Sequence, residues 1–133
     1  GYDIAIGSRL ANGSRVIGRP RHREFISRVY NLMFPFVFLT RFSFRDAQCG
    51  FKAVSRKAAE ELVPLVVDNS WFFDSELLII ADKNGYRIKE VSVTWRDDPD
   101  SRVRIIPTAY ADVKGLLRLR FGGLRRASRL LRQ

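Results

Sequence analysis

The sequence predicts a mixed α/β fold built around one modest hydrophobic core. The chain has 133 residues, of which 46% are hydrophobic, and this is enough to bury one such core. Its ten phenylalanines argue against a disordered chain. Strand-like and helix-like segments follow one another in the order strand, helix, strand, helix, helix, strand, helix, which is typical of layered α/β proteins.

The first elements are a short strand and a long helix. Residues 2–7 alternate and end in Gly-Ser, which predicts a buried strand leading into a loop that extends to Pro20. Residues 21–40 have apolar side chains at helical spacing, and Pro35 is expected to kink or split this helix. The apolar run at residues 32–39 fits a buried core helix and a helix in a membrane interface equally well.

The remaining elements are predicted from periodicity and from their end signals. In chain order they are a strand at 51–54, a helix at 56–63, a helix at 73–84, a strand at 86–94 and a helix at 108–131. Ser55 is a suitable N-cap for the first of these helices, and Gly85 ends the second. The last helix is interrupted at Gly122 and Gly123.

The net charge of +10 is concentrated at the two ends of the chain. Residues 1–31 carry +4, residues 32–107 balance to zero, and residues 108–133 carry +6. Such ends favour anionic partners, which include lipid headgroups, phosphates and nucleic acid. We therefore distinguish a body at residues 1–107 from a basic amphipathic helical tail at residues 108–133, which is expected to contact a membrane surface.

Cysteine usage and hydropathy exclude several classes of protein. A single cysteine excludes an internal disulfide framework and suits a reducing cytosol. Cys49 is interpreted as a packed small hydrophobe, because the one histidine of the chain is its only candidate base. No apolar run approaches the roughly 20 residues of a spanning helix. The chain begins abruptly at a predicted strand, so we expect a fragment of a longer protein.

Two short blocks combine carboxylates with large aromatic residues. They are residues 46–52 (Asp-Ala-Gln-Cys-Gly-Phe-Lys) and residues 71–78 (Trp-Phe-Phe-Asp-Ser-Glu-Leu-Leu). This arrangement is costly unless the carboxylates meet cations, metals or phosphates. Gly50 is expected to let the backbone turn tightly beside a substrate.

In this order and spacing, the blocks resemble the C-terminal half of family 2 glycosyltransferases of the GT-A fold. The similarity is to the branch that includes dolichyl-phosphate glucosyltransferases and mannose synthases, and it extends from residues 7–9 (Gly-Ser-Arg) to residues 101–102 (Ser-Arg). The resemblance implies the C-terminal portion of a GT-A mixed-sheet fold with amphipathic helices, in which residues 1–107 form the acceptor-side half. It also implies transfer of a hexose, glucose or mannose, from a nucleotide sugar to a polyprenyl or dolichyl phosphate. The 133-residue piece alone is expected to be inactive.

The resemblance implies that Arg9, Arg23 and Ser27 bind the acceptor phosphate. Arg23 and Ser27 are four residues apart and share a face near the start of their predicted helix. A guanidinium engages phosphate oxygens through two parallel hydrogen bonds, and helix N-termini favour anions. An ordinary solvated basic helix face is the alternative.

The resemblance also implies catalytic roles for Asp46 and Asp74, and substrate contacts for Gln48, Glu76 and Arg102. An acceptor phosphate is already ionised at neutral pH, so electrostatic positioning is expected to dominate over general-base help. Asp46 is catalytic or orienting, or alternatively caps a turn. The helix dipole alone could explain Asp74 and Glu76. Arg102 replaces the usual lysine of the family, which keeps the charge and adds a planar fork.

No metal site is expected within this chain. Residues 98–100 (Asp-Pro-Asp) spell a metal motif but lie in a polar loop, whereas the family's motif closes an apolar strand in a nucleotide-binding half that has no counterpart here. Mg²⁺ or Mn²⁺ is therefore expected to have its main ligands upstream. The resemblance places the protein at the cytoplasmic face of a membrane, peripheral or anchored by segments outside this chain.

Two other functions are compatible with the composition. The sequence pI of about 10.6 suggests a nucleic-acid-binding module. The chain has no helix-turn-helix, zinc or RNP-like pattern, and its aromatic residues cluster in apolar runs, so no nucleic acid is expected. A membrane-surface adaptor without catalysis would explain the basic ends but leaves the blocks around Asp46 and Asp74 without a reason.

Overall fold

The computed structural model describes residues 1–100 and 104–133. Its elements in chain order are β1 (Ile4–Ser8), β2 (Arg15–Ile17), α1 (Arg21–Phe38), β3 (Lys52–Val54), α2 (Arg56–Leu62), a 3₁₀ turn (Val63–Leu65), α3 (Phe73–Lys83), β4 (Ile88–Ser92), β5 (Thr94–Arg96), α4 (Ile105–Arg118), a π-helical segment (Leu119–Gly123) and α5 (Leu124–Leu130). The predicted mixed α/β class is confirmed. Ser55 caps α2 as predicted, because its side chain accepts a hydrogen bond from the Ala58 N–H.

The main sheet has three strands in the order β3-β1-β4. β1 runs antiparallel to β3 and parallel to β4, with Ile4 opposite both Val54 and Ile88. Ile4 and Ile6 point into the core from the central strand and are almost completely buried. A mixed sheet of this kind is consistent with the predicted portion of a GT-A fold.

A second, two-stranded sheet was not predicted. β2 pairs in parallel with β5, so that Val16 lies opposite Trp95. β2 has three residues between glycine-containing loops, and its pairing partner lies far away in the sequence. No local pattern could therefore have revealed it.

α1 continues through Pro35 and is not split at that position. It ends where Leu39 adopts a left-handed conformation with φ of 52° and the Thr40 N–H donates to the Pro35 carbonyl at 3.2 Å. The apolar run has two sides: Phe34 is buried in the core, whereas Leu32 and Phe36 are exposed. The buried-helix interpretation is thus correct for one side of the run.

The C-terminal helices complete the core. α4 begins at Ile105, and the buried side chains of Leu116, Leu119 and Ala127 belong to the same core as α3. Gly115 allows α4 to pack closely against Phe72, because a Cβ at position 115 would overlap the Phe72 ring. The predicted division between residues 107 and 108 stays a prediction. α4 crosses this point, and part of the predicted tail belongs to the core.

The predicted interruption at Gly122 and Gly123 is confirmed. Phe121 and Gly122 have non-helical backbone angles, with φ of 152° at Gly122, so the chain kinks within Leu119–Gly123 between α4 and α5. None of the helices in the described ranges has both the length and the apolar character needed to cross a bilayer.

Candidate functional site

One cleft of about 340 Å³ gathers residues from most elements of the fold. The loops after β1 and β5, the first turns of α1, the segment at residues 48–50 and the starts of α3 and α4 all contribute to its walls. The lining residues are Arg9, Arg19, Arg23, Ile26, Ser27, Gln48, Gly50, Trp71, Asp74, Trp95, Asp97, Ile105 and Thr108. The volume lies within the range of small-molecule sites.

Arg9 and Asp46 form a buried bidentate ion pair behind the cleft surface. Arg9 Nε lies 2.7 Å from Asp46 Oδ2, Arg9 Nη2 lies 2.8 Å from Oδ1, and the Arg9 backbone N–H also donates to Oδ2 at 3.0 Å. The Asp46 side chain is 0% exposed and the Arg9 side chain 8%. Burial alone would raise the pKa of Asp46, but the hydrogen bonds and charge of Arg9 outweigh it and hold this pKa below its usual value.

The loop that carries Asp46 is held from several sides. Glu90 on β4 accepts hydrogen bonds from the backbone N–H groups of Arg45 and Asp46, at 2.6 and 3.2 Å. The Asn31 side chain of α1 accepts from the Ala47 N–H at 2.9 Å. Asp46 therefore has a fixed position and fixes the guanidinium of Arg9 in turn.

Arg23 and Ser27 face the cleft from α1, as their spacing predicts. Arg23 Nη1 lies 3.4 Å from Asp97 Oδ2, and Asp97 Oδ1 accepts from the indole N–H of Trp95 at 3.4 Å. The Ser27 side chain is buried, and its hydroxyl has no hydrogen-bond partner within the described part of the chain. The structure thus brings Arg9, Arg23 and Ser27 together.

Asp74 lines the same cleft from the first turn of α3. Its Oδ2 lies 3.2 Å from Lys52 Nζ, and its side chain is 39% exposed, so the carboxylate is accessible to a ligand. Gly50 lies on the cleft wall, where a Cβ would meet open space. Asp46 differs from Asp74 because it lies behind the wall, where it accepts hydrogen bonds from the cleft residues Arg9 and Gln48.

Gln48 connects the cleft to a buried acid on α4. Its side-chain amide donates to Asp112 Oδ2 at 3.5 Å. Asp112 is almost completely buried, and no residue in the described ranges donates to its Oδ1. Burial, with a smaller contribution from the charge of Asp68, raises the pKa of Asp112 to about 7.

Glu76 does not reach the cleft. Arg118 donates to both of its carboxylate oxygens at 2.9 and 2.8 Å, and the Asp68 N–H donates to Oε2 at 2.9 Å. Glu76 lines a separate cavity with Arg118, Phe121 and Arg126. The reason is geometric, because residues two apart on a helix, such as Asp74 and Glu76, do not face the same side.

Other predicted positions also lie away from the cleft or outside the described chain. Asp98, Pro99 and Asp100 are exposed and do not line it. Arg102 lies outside the described residues. Within residues 1–100 and 104–133, no group of three or more His, Cys, Asp or Glu side chains could hold a metal ion.

Sequence reasoning missed Arg19, Trp95 and Asp97 as site residues. The Asp97 N–H donates to the Ile17 carbonyl at 2.9 Å, and this contact between the two short strands brings all three to the cleft. Because β2 was not predicted, its neighbours could not be placed. Arg19 lies two residues before the predicted helix N-terminus at Arg21, and this position was the one available signal.

The known proteins to which the chain is similar include several named as glycosyltransferases. No family model matches the chain. It is 46% identical over 105 residues to a Haloferax volcanii protein named glycosyltransferase AglD, covering 79% of this chain and 16% of that protein. It is 31% identical over 123 residues to the dolichyl-phosphate beta-glucosyltransferase of Saccharomyces cerevisiae, covering 91% of this chain and 36% of that protein. The dolichyl-phosphate beta-glucosyltransferase of Mus musculus is 36% identical over 101 residues, which cover 75% of this chain and 31% of that protein. The chain thus spans little more than a third, or less, of the length of these relatives.

Proposed function

The chain belongs to the dolichyl-phosphate glycosyltransferase family, and we propose that the full-length protein transfers a hexose from a nucleotide sugar to a polyprenyl or dolichyl phosphate. The hexose is glucose or mannose. The relatives confirm the family predicted from the sequence, and they do not support the nucleic-acid-binding alternative. The observation that carries the proposal is the meeting of Arg9, Arg23, Ser27 and Asp74 in one cleft.

The cleft is suited to the phosphate of the acceptor. Arg9 and Arg23 lie on its wall with the first turns of α1, whose N-terminal N–H groups favour an anion. Arginine binds phosphate through two parallel hydrogen bonds, and a partly enclosed site strengthens such contacts. A phosphate held here would have its oxygens directed by fixed groups and would lose little further freedom during reaction.

The transfer itself needs positioning more than proton removal. An oxygen of the acceptor phosphate forms a bond to the anomeric carbon of the donor, and the bond between that carbon and the nucleoside diphosphate breaks. The attacking oxygen is already ionised at neutral pH, so no strong base is required. In this proposal Asp46 is a positioning residue that orients Arg9, and Asp74 is the carboxylate that faces the reacting groups. Gln48 lines the same wall.

The metal belongs to another part of the protein in this proposal. The described residues do not form a metal site by themselves. We propose that Mg²⁺ or Mn²⁺ has its main ligands outside this chain.

We further propose that the protein works at an anionic membrane surface, on its cytoplasmic face. Exposed apolar side chains recur at helical spacing on α1 and from α4 to the π-helical segment. They are Phe25, Val29, Leu32 and Phe36, followed by Ile106, Tyr110, Val113, Leu117 and Phe121. Such stripes with basic flanks are typical of helices that lie in a membrane interface.

The two stripes lie on neighbouring helices that run in the same direction. Ser27 of α1 and Thr108 of α4 line the same cleft, and further along Arg120 Nε donates to the Val37 carbonyl at 3.2 Å. The cleft is therefore beside the first turns of both helices. This places a phosphate site next to the surface from which a lipid phosphate would be presented.

Membrane binding is tested with vesicles and matched charge variants. Replacement of exposed Arg125, Arg126 and Arg129 by Gln should remove about 1 kcal/mol of binding free energy per residue on anionic vesicles. Replacement of exposed Arg45, Arg87 and Lys89 serves as the control. Equal binding to neutral and anionic vesicles would contradict the electrostatic part.

Hexosyl transfer is tested with the full-length protein, nucleotide sugar and dolichyl phosphate in detergent. Arg23→Gln should raise the KM for dolichyl phosphate about 10-fold or more, since it removes a charge-assisted contact, and leave that for the nucleotide sugar unchanged. Arg21→Gln, at an exposed position outside the cleft, should behave as wild type. Absence of transfer to any polyprenyl phosphate by the wild type would contradict the proposal.

A further inference from the structure

The described cations at the cleft differ in how closely a carboxylate approaches them. Arg9 pairs with Asp46 at 2.7 Å, Arg23 with Asp97 at 3.4 Å, and Lys52 with Asp74 at 3.2 Å. These contacts use the carboxylates that line or adjoin the cleft. Arg19 lines the cleft as a fourth cation.

Two of the three guanidinium nitrogens of Arg19 are buried without a hydrogen-bond partner in the described ranges. Its side chain is 10% exposed, and neither Nε nor Nη1 donates to any atom of the described ranges. The nearest described carboxylate oxygen is Glu24 Oε2 at 3.9 Å from Nε, and Glu24 is already held by Arg28 at 2.8 Å. Burial, followed by the like charge of Arg9, lowers the pKa of Arg19.

A desolvated cation without a partner destabilises a fold unless a ligand supplies the missing charge. Ser27 presents a second unsatisfied donor in the same cleft, since its buried hydroxyl also lacks a described partner. Two independent donors without partners, on one wall, indicate a ligand that offers several acceptor oxygens and negative charge. A phosphate monoester has both properties.

We propose that Arg19, acting with Ser27, makes a direct contact to the phosphate group of an isoprenyl phosphate acceptor. This inference rests on the proposed function and adds to it a residue outside the predicted site. Arg9 and Arg23 also line the cleft, but each shares its charge with a nearer internal carboxylate. Arg19 has only a contact of 3.9 Å with Glu24, so it adds the least compensated positive charge to the phosphate site.

Binding of farnesyl phosphate to the full-length protein, measured by calorimetry in detergent, tests this assignment. Arg19→Gln should weaken binding about 10- to 100-fold, because a charge-assisted contact is lost. Arg19→Lys should fall between wild type and Arg19→Gln, since it keeps the charge without the planar fork. Arg15→Gln, at a nearby exposed position, should bind as wild type.

Binding of UDP-glucose distinguishes a contact with the acceptor phosphate from a contact with the donor diphosphate. The proposal predicts that Arg19→Gln leaves this binding unchanged. A loss for UDP-glucose with farnesyl phosphate unaffected would overturn the proposal and assign Arg19 to the donor diphosphate.

Thermal unfolding without ligand provides a readout that a structural role would not give. Because the buried charge of Arg19 has only a carboxylate contact of 3.9 Å, Arg19→Gln should unfold at the same temperature as wild type or higher. A clear decrease would show that Arg19 stabilises the fold and would overturn the proposal. If the wild type transfers hexose and Arg19→Gln binds farnesyl phosphate as tightly as wild type, this inference alone is wrong. If the wild type does not bind farnesyl phosphate, the proposed function is wrong as well.

Discussion

The cleft and the second cavity each adjoin a buried carboxylate held by a bidentate arginine. Asp46 is held by Arg9 and Glu76 by Arg118, and the two carboxylate side chains are 0% and 1% exposed. The environments differ. Arg9 is joined at the cleft by Arg19 and Arg23 from a different segment of the chain, whereas Glu76 also accepts from the Asp68 N–H, which completes its hydrogen bonding within the fold. A buried ion pair therefore indicates a functional site only where further unsatisfied donors converge beside it.

Asp46→Asn is expected to have the largest effect, because it should alter both stability and activity. It leaves the nearly buried Arg9 without its counter-charge, which should cost about 3–5 kcal/mol of unfolding free energy. Arg9 would then be free to shift, and a displacement near 1 Å lowers turnover about 100-fold. Denaturant unfolding and transfer rates per folded molecule measure both effects, with exposed Asp98→Asn as the control. Turnover near wild type would contradict the positioning role of Asp46.

Glu76→Gln should reproduce the loss of stability without the loss of activity. Arg118 would lose its charged partner at a cost of about 1–3 kcal/mol, because its own side chain is 35% exposed and water screens the charge that remains. Since Glu76 does not line the cleft, transfer per folded molecule should stay unchanged. The control is Glu60→Gln, whose pair with Arg56 is exposed and should contribute about 0.5 kcal/mol or less. A selective loss of turnover would show that Glu76 acts in the active site, and would contradict the proposed difference between Asp46 and Glu76.

Asp112 extends the comparison to a buried carboxylate without an arginine. Its pKa is about 7 in the folded protein and about 4 in an unfolded chain, so the folded state binds more protons between these pH values. Its contribution to stability therefore falls as pH rises from about 4 to about 7, by up to about 4 kcal/mol. Asp112→Asn should remove this decline and be more stable than wild type at pH 8, as measured by denaturant unfolding across that range. Equal pH profiles for the two proteins would show that Asp112 is paired in solution.

Much of the fold was predictable because its signals are local. Ser55 as a cap and the glycines at the kink were recognised from residue type and position alone. The paired strands β2 and β5 were not, since three-residue strands form only when a distant partner is present. Missing this pairing also left the predicted site incomplete, because the pairing brings Asp97 and Arg19 to the cleft.

The candidate site was partly predictable for the same reason. The spacing of Arg23 and Ser27 on one helix face is a local property, and both line the cleft. Glu76 was included with Asp74 because a sequence motif does not state which side of a helix faces the ligand. The burial of Asp46 behind Arg9 depends on three-dimensional packing that no spacing rule contains.

The most direct test of the account compares one arginine from each region. The dissociation constant of farnesyl phosphate is measured for the full-length wild type, for Arg23→Gln in the cleft and for Arg126→Gln in the second cavity. The account predicts about 10-fold weaker binding or more for Arg23→Gln and unchanged binding for Arg126→Gln. Unchanged binding for Arg23→Gln, or a loss confined to Arg126→Gln, would contradict the assignment of the cleft as the acceptor phosphate site.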